Sequence, residues 1–62
     1  MKKTWIIGLP AYAKNHHLVV AKHYDDEWWF WGAYDSYAET DFANGFNCLK
    51  IFKTEEITGE WE

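Results

Sequence analysis

The chain has 62 residues, a net charge of −4, and five tryptophans, four tyrosines and four phenylalanines. A chain of this length buries only about 60% of its unfolded surface, so the aromatic side chains must supply much of the core. Its basic residues are all lysine, and this acidic, arginine-free composition argues against direct nucleic-acid binding. The single cysteine and the lack of a signal peptide or a long apolar segment predict a cytoplasmic protein without a membrane span.

The first half of the chain predicts three strands. Residues 4–7 form a short strand that ends at a Gly-Leu-Pro sequence and is followed by a loop. Residues 17–23 and 28–34 form two further strands because β-branched and aromatic side chains favour a pleated sheet. The polar residues 24–27 between them predict a turn, so the two strands form a hairpin.

A short helix is predicted next. Ser36 and Glu39 fit a capping box, in which each side chain accepts a hydrogen bond from the other residue's backbone. An Asn-Gly pair marks the end, so the helix spans residues 37–44. Ala38 and Phe42 lie four residues apart and are expected to face the core.

The remaining residues complete a predicted α+β fold of one domain over residues 1–62. Residues 46–53 form a strand, and residues 55–62 form either an additional edge strand or a loosely held acidic tail. The expected architecture is β-β-β-α-β, a small twisted, mostly antiparallel sheet with one short helix on one face.

Successive residues of a strand point to opposite faces, so a turn at Asp25-Asp26 divides the hairpin into two sets. One face is aliphatic with indole rings and is predicted to form the core under the helix: Leu18, Val20, Trp29, Trp31 and Ala33. The other mixes histidines with aromatics and is predicted to be half exposed: His17, Val19, Ala21, His23, Trp28, Phe30, Gly32 and Tyr34.

The half-exposed face is the predicted partner-binding surface, because tryptophan and tyrosine are enriched at the energetic centres of interfaces. The turn would add negative charge that complements a protein partner with a basic surface. The predicted binding residues are Trp28, Phe30, Tyr34, His23, Asp25, Asp26 and Glu27. The alternative is that both faces are buried and the aromatic face is only the interface of a homodimer.

Catalytic and metal sites are not predicted. His17 and His23 share a face but lie roughly 20 Å apart along a strand, and no paired ligand spacing occurs. Cys48 is expected to be a small buried side chain, and Ser36 already serves as a cap. With no phosphate-binding loop either, the sequence predicts a binding protein without cofactors and not an enzyme.

The segment LVVAKHYDDEWWFWGAYDS, residues 18–36, resembles the hairpin and capped helix of small accessory proteins from phages and mobile elements. Anti-CRISPR and other anti-defence inhibitors belong to this class. The resemblance covers residues 18–53, rests on small size, acidity and aromatic content, and assigns no functional residue. It implies stoichiometric inhibition of a host nucleic-acid-handling complex, such as a defence complex, through protein–protein contact. The expected function is therefore a small cytoplasmic binding protein that acts as an inhibitor or an adaptor. A self-associating structural protein is the alternative.

Overall fold

The computed structural model describes residues 2–61, so residues 1 and 62, the ends of the predicted domain and tail, lie outside the description. The elements are β1 (Thr4–Ile7), a 3₁₀ helix (Ala11–Asn15), β2 (Leu18–Tyr24), β3 (Glu27–Tyr34), α1 (Tyr37–Thr40), a 3₁₀ helix (Asp41–Gly45), β4 (Leu49–Lys53), a 3₁₀ helix (Thr54–Glu56) and β5 (Ile57–Gly59). The predicted α+β fold is confirmed, and β5 supplies the additional C-terminal edge strand. Within residues 2–61, no helix is long and apolar enough to cross a membrane.

The sheet is mixed, with the strand order β4-β2-β3-β1-β5. β2 pairs antiparallel with β3 and β4, so most paired positions are antiparallel, as predicted. β1 lies parallel to β3 and to β5. Because β3 separates β1 from β2, the connection between β1 and β2 must cross over β3 on one face of the sheet.

The hairpin turns at Asp25 and Asp26, with φ angles of 54° and 62°. Two consecutive residues with positive φ define the two-residue turn that matches the twist of a hairpin, and aspartate tolerates this conformation better than most residues. The predicted pairing of Lys22 with Trp29 is confirmed.

A β-bulge interrupts β3 beyond that pair. Ala21 pairs with Phe30 but Val20 pairs with Gly32, which leaves Trp31 as the extra residue. The predicted pair of Val20 with Trp31 is therefore wrong by one position, and so is every later pair in the strand. A bulge of this kind moves all later side chains to the opposite face from the one that simple alternation predicts.

The sheet is strongly coiled. Lys53 at the end of β4 is in register with Leu18, at the end of the hairpin far from the turn. Ile57 at the start of β5 is in register with Thr4, which lies near the turn end because β1 runs parallel to β3. Only residues 54–56 connect the two, a span of roughly 14 Å at most. The strands must therefore tilt and the sheet must curl until its two edges approach each other.

One face of the sheet carries the main core, and we call it the inner face. Its buried cluster is Ile6, Leu9, Ala13, Val19, Ala21, Phe52 and Ile57, with Trp28, Phe30, Ala33 and Trp61 packed against it. The connection between β1 and β2 covers this face, since Leu9 and Ala13 are fully buried. The ring of Tyr12 packs edge-on against that of Phe30, with 6.3 Å between the ring centroids.

The opposite, outer face is covered by the helical segment at one end only. Leu18 and Val20 are buried there. Tyr34 pairs with Leu18, and its ring packs edge-on against that of Phe42, with 5.7 Å between the ring centroids. Tyr34 lies on this face because of the bulge.

The helical segment begins at the predicted residue, but it changes from an α-helix to a 3₁₀ helix after one turn. Ser36 Oγ accepts a hydrogen bond from the Glu39 backbone at 3.4 Å, and the Glu39 carboxylate accepts from the Ser36 backbone at 3.2 Å, which confirms the capping box. The α-helix then ends at Thr40 and continues as a 3₁₀ helix to Gly45. A 3₁₀ helix aligns residues three apart, so Thr40 and Ala43 are buried, and the predicted inner residues Ala38 and Phe42 are exposed.

We expect Gly59→Ala to lower the free energy of unfolding, measured by urea denaturation. A Cβ at Gly59 would overlap the backbone oxygen of Ile6 in the neighbouring strand and approach Leu9 to 3.3 Å. Overpacking of this kind typically costs about 1–3 kcal/mol. Gly45→Ala is the matched control, because a Cβ there meets open space. Equal stability of the two variants would contradict the close packing of β5 on β1.

Candidate partner-binding surface

The four aromatic side chains of residues 28–31 lie on two faces of the sheet. The face that is buried in the structure is the one predicted to be half exposed, and the exposed face is the one predicted to be the core. Trp28 and Phe30 are half-buried against the inner core, whereas Trp29 is 39% and Trp31 is 52% exposed. The inner face is covered by the connection that crosses β3, whereas the helical segment reaches only the end of the outer face near Leu18. The prediction that Trp29 and Trp31 form the core is therefore wrong.

Trp29 and Trp31 share the outer face with residues of β1. Ile7 pairs with Trp29 in the parallel register, and Trp5, two residues before Ile7, points to the same side and is 55% exposed. Neighbouring strands lie about 4.8 Å apart, and alternate residues of one strand lie roughly 6.6 Å apart. These side chains therefore form a continuous surface. We call Trp5, Trp29 and Trp31 the tryptophan patch.

The acidic turn lies at the border of the tryptophan patch. Glu27 alternates with Trp29 and so lies on the same face, and Asp25 and Asp26 form the adjoining turn. All three carboxylates are exposed. The indole nitrogen of Trp29 donates a hydrogen bond to the backbone oxygen of Tyr24 at 3.1 Å. This bond holds the ring against the hairpin and satisfies its polar atom, so the part that faces outward is apolar.

The other predicted binding residues do not form one exposed surface. His23 is exposed, but its ring packs against that of Trp28 on the inner side of the hairpin, with 4.8 Å between the ring centroids. Trp28 in turn packs edge-on against Phe52 of the core at 5.2 Å. Tyr34 lies on the other face of the sheet and packs against the helical segment. The structure therefore keeps the three acidic residues of the predicted site together and separates its aromatic members.

Trp5 was missed by the sequence-based argument. The predicted strand over residues 4–7 is confirmed, but its neighbour in the sheet cannot be inferred from the sequence, because β1 pairs with strands that are distant along the chain. The available signal was alternation: Trp5 and Ile7 must point away from Ile6, and Ile6 is the fully buried member of the three.

The structure also places the other ligand-type and nucleophilic side chains of residues 2–61. These residues contain no group of three or more His, Cys, Asp or Glu side chains placed to hold a metal ion. Cys48 is exposed and not buried as predicted, because β4 begins only at Leu49 and Cys48 lies in the turn before it.

His16 and Asp35 form the one ion pair found among residues 2–61, with 3.1 Å between Nδ1 and Oδ2. His16 also lines a cleft of about 480 Å³ together with Thr54 and Tyr37. The hydroxyl of Thr54, the nearest candidate nucleophile in this cleft, donates to the backbone oxygen of His16 at 2.5 Å and is therefore engaged. The pair serves to fasten the start of β2 to the residue before the helix cap.

The hydrogen bond from His16 lowers the pKa of Asp35 below its ordinary value of 3.8. Desolvation acts in the opposite direction, and the charge of His16 and the backbone N–H of His17, at 3.4 Å from the carboxylate, lower the pKa further. A carboxyl group with a lowered pKa stabilises the folded state above its unfolded pKa and loses this contribution as the pH falls through the folded value.

Comparison of the chain with protein-family models, curated proteins and solved structures finds no match. What the chain can bind is therefore inferred from the tryptophan patch and the charges around it.

The reversed faces give a stability prediction for two tryptophans of the same run. Trp28→Ala should lower the free energy of unfolding by about 3 kcal/mol, the usual cost of truncating a large aromatic side chain in a core. Trp31→Ala should change stability by less than about 1 kcal/mol, since its ring is largely outside the core. Thermal and urea unfolding of both variants measure the difference. A more damaging Trp31→Ala would restore the original assignment of faces.

The Asp35 pair predicts how acid affects stability. Asp35→Asn should be less stable than the wild type at pH 5, and the difference should shrink as the pH falls from about 4, the pKa of the unfolded carboxyl, through its lowered pKa in the folded state. Urea denaturation across pH 2–6 measures it. His16→Ala removes the largest cause of the lowered pKa, so it should flatten the same acid limb. An unchanged limb in that variant would show that another group produces it.

Proposed function

We propose that the protein is a protein-binding module whose contact surface is the tryptophan patch. One observation carries the proposal: three tryptophans remain exposed on one face of the sheet although the inner core is complete without them. A buried tryptophan contributes on the order of 150–250 Å² of contact, and tryptophan is among the residues enriched at the energetic centres of interfaces. Exposed apolar patches of a few hundred Å² mark such interfaces.

The border of the patch defines the chemistry of the partner. Asp25, Asp26 and Glu27 place three carboxylates beside the apolar surface. A partner that offers an apolar pocket with basic residues on one side complements this arrangement and is steered towards it by charge. Proteins that handle nucleic acid present basic surfaces of this kind. The proposed target is therefore a host defence nucleoprotein complex, contacted through protein and not through its nucleic acid.

Inhibition by occupation follows from this mode of binding. A module that covers a basic surface with carboxylates and indole rings blocks the nucleic acid from that surface without any chemical step. This is the stoichiometric inhibition, of the anti-CRISPR or anti-defence type, that the resemblance implies, and an adaptor would use the same contact to join two proteins. The proposed compartment is the cytoplasm, where the exposed Cys48 thiol stays reduced.

A second candidate is a homodimer formed by the same surface. The tryptophan patch is apolar and exposed, and burial of two such patches against each other would stabilise a small chain. The two candidate functions differ in what covers the exposed tryptophan patch. In one it is a second copy of the chain, and in the other it is a different protein.

The test is capture of the partner from host extract, followed by affinity measurements with the purified partner. Replacing Trp29 or Trp31 by alanine should weaken binding by roughly 2 kcal/mol, or about 30-fold. Neutralising the acidic turn should mainly slow association and reduce its salt dependence. Tyr37→Ala is the matched control, since Tyr37 is an exposed aromatic residue outside the patch.

Two results would count against the proposal. One is a purified partner that binds wild type and patch variants equally. The other is sedimentation that shows a wild-type dimer and a monomeric patch variant, with no competition from the captured protein, which would assign the patch to the homodimer.

A further inference from the structure

A groove of about 740 Å³ collects most of the positive charge of the chain. Four of the six lysines line it, and they come from the start of β1 and from β4: Lys2, Lys3, Lys50 and Lys53. Ile51 and Phe52 contribute apolar surface, and Glu55 and Glu56 are the acidic residues of the lining. The groove lies where the coiled sheet brings its edges together. We call it the lysine groove.

The lysines of the groove form no ion pair with an acidic residue among residues 2–61. No lysine ammonium lies within 4 Å of a carboxylate oxygen in the part of the chain that the structure describes, where the ion pair found is that of His16 with Asp35. Lys50 is held over the ring of Phe52 at 5.1 Å. The Glu56 carboxylate accepts a hydrogen bond from the Lys53 backbone at 3.0 Å, so this negative charge is directed at the main chain.

The backbone edge of β4 restricts what the groove can accept. Hydrogen bonds from Thr54 to His17 and from His23 to Cys48 fix the pairing of β4 with β2. Because bonded positions alternate in an antiparallel pair, the backbone groups of residues 49, 51 and 53 point away from β2.

Two of these three outward N–H groups are already engaged. The N–H of Leu49 donates to the backbone oxygen of Phe46 at 3.3 Å, and the N–H of Lys53 donates to Glu56. An extended peptide therefore cannot add to β4 as a further strand through a continuous ladder. The groove is suited to a compact acidic feature that is recognised through its charges.

The same chain carries such a feature. Asp25, Asp26 and Glu27 are consecutive exposed carboxylates on a tight turn whose backbone is fixed by two positive φ angles. Outside the lysine groove the sequence has two lysines and eight acidic residues, so the rest of the chain is predominantly acidic. A molecule with one basic concavity and one rigid acidic turn, neither paired internally, is complementary to its own copy.

We propose that the lysine groove of one molecule binds the acidic turn of a second copy, head to tail. Three carboxylates would meet four ammonium groups in a contact that excludes part of the solvent. The absence of arginine disfavours a phosphate backbone as the occupant. A contact between two different surfaces does not close on itself in a dimer, so the assembly extends to chains or rings. This contact uses the acidic turn at the border of the tryptophan patch but none of the three tryptophans, and it does not depend on the proposed function.

The test is sedimentation of the full chain at about 20 mM and about 500 mM salt, since screening weakens contacts between exposed charges. We expect species larger than the 7.4 kDa monomer at low salt and the monomer at high salt. A groove-reversed variant, Lys50→Glu with Lys53→Glu, should remain monomeric at low salt. A turn-reversed variant, Asp25→Asn, Asp26→Gly and Glu27→Lys, should also remain monomeric, and asparagine and glycine preserve the turn.

An equimolar mixture of the two reversed variants should form complexes, because the intact groove of the turn-reversed variant can bind the intact acidic turn of the groove-reversed variant. Lys14→Glu with Lys22→Glu changes the net charge by the same amount outside the groove and should still assemble. Thermal unfolding establishes that each variant is folded.

Several outcomes would overturn the proposal. They are a wild-type monomer at low salt, assembly by the groove-reversed variant, and assembly that strengthens with salt, which would point to the tryptophan patch. Binding of a fluorescent single-stranded oligonucleotide that the groove-reversed variant loses would assign the groove to nucleic acid instead.

Discussion

The connection between β1 and β2 determines which face of the sheet is buried. β1 lies beyond β3 in the sheet order, so the chain must cross β3 to begin β2. It crosses on the inner face, where Leu9 and Ala13 are fully buried and Tyr12 meets Phe30. The helical segment between β3 and β4 covers the outer face only at the end near Leu18 and Tyr34. The exposure of the tryptophan patch is thus a consequence of topology.

The bulge at Trp31 adjusts the two faces to this topology. Without it, Ala33 would lie on the outer face and Tyr34 on the inner one, under the crossing connection. With the extra residue, Ala33 packs on the inner core and Tyr34 supports Phe42 of the helical segment. The bulge therefore lets a single strand serve two different packing environments, and it leaves Trp31 with no cross-strand partner in β2. Bulges often occur where a strand must redirect a side chain.

Local signals were sufficient for the elements and insufficient for their assembly. The turn at Asp25-Asp26, the strand over residues 4–7 and the capping box at Ser36 each depend on residues within four positions, and all three are confirmed. The choice of buried face depends on strand order, which no local pattern contains. For the same reason Trp31 was assigned to the core and Trp5 was not assigned to the site.

The grouping of the lysines shows the same limit for charge. Composition correctly describes an acidic chain, yet it averages over a groove with four lysines and a remainder with two. Lys2 and Lys3 meet Lys50 and Lys53 only because the sheet coils, which brings the start of β1 to the end of β4. Net charge therefore describes the average electrostatic field of the molecule and does not describe any one surface.

The acidic turn belongs to both proposed contacts, and this makes them mutually exclusive. Glu27 lies on the face of the tryptophan patch and next to the turn residues that would enter the lysine groove. A turn that is seated in the groove of a second copy cannot also border a basic partner, since the same carboxylates would have to pair twice. Partner binding must then compete with head-to-tail assembly. Each contact reduces the fraction of molecules that is free to form the other one, and the apparent affinity of the other contact falls in proportion to that fraction. The balance shifts with salt as well, because the assembly rests mainly on exposed charges whereas the patch adds the burial of three indole rings, which screening leaves intact.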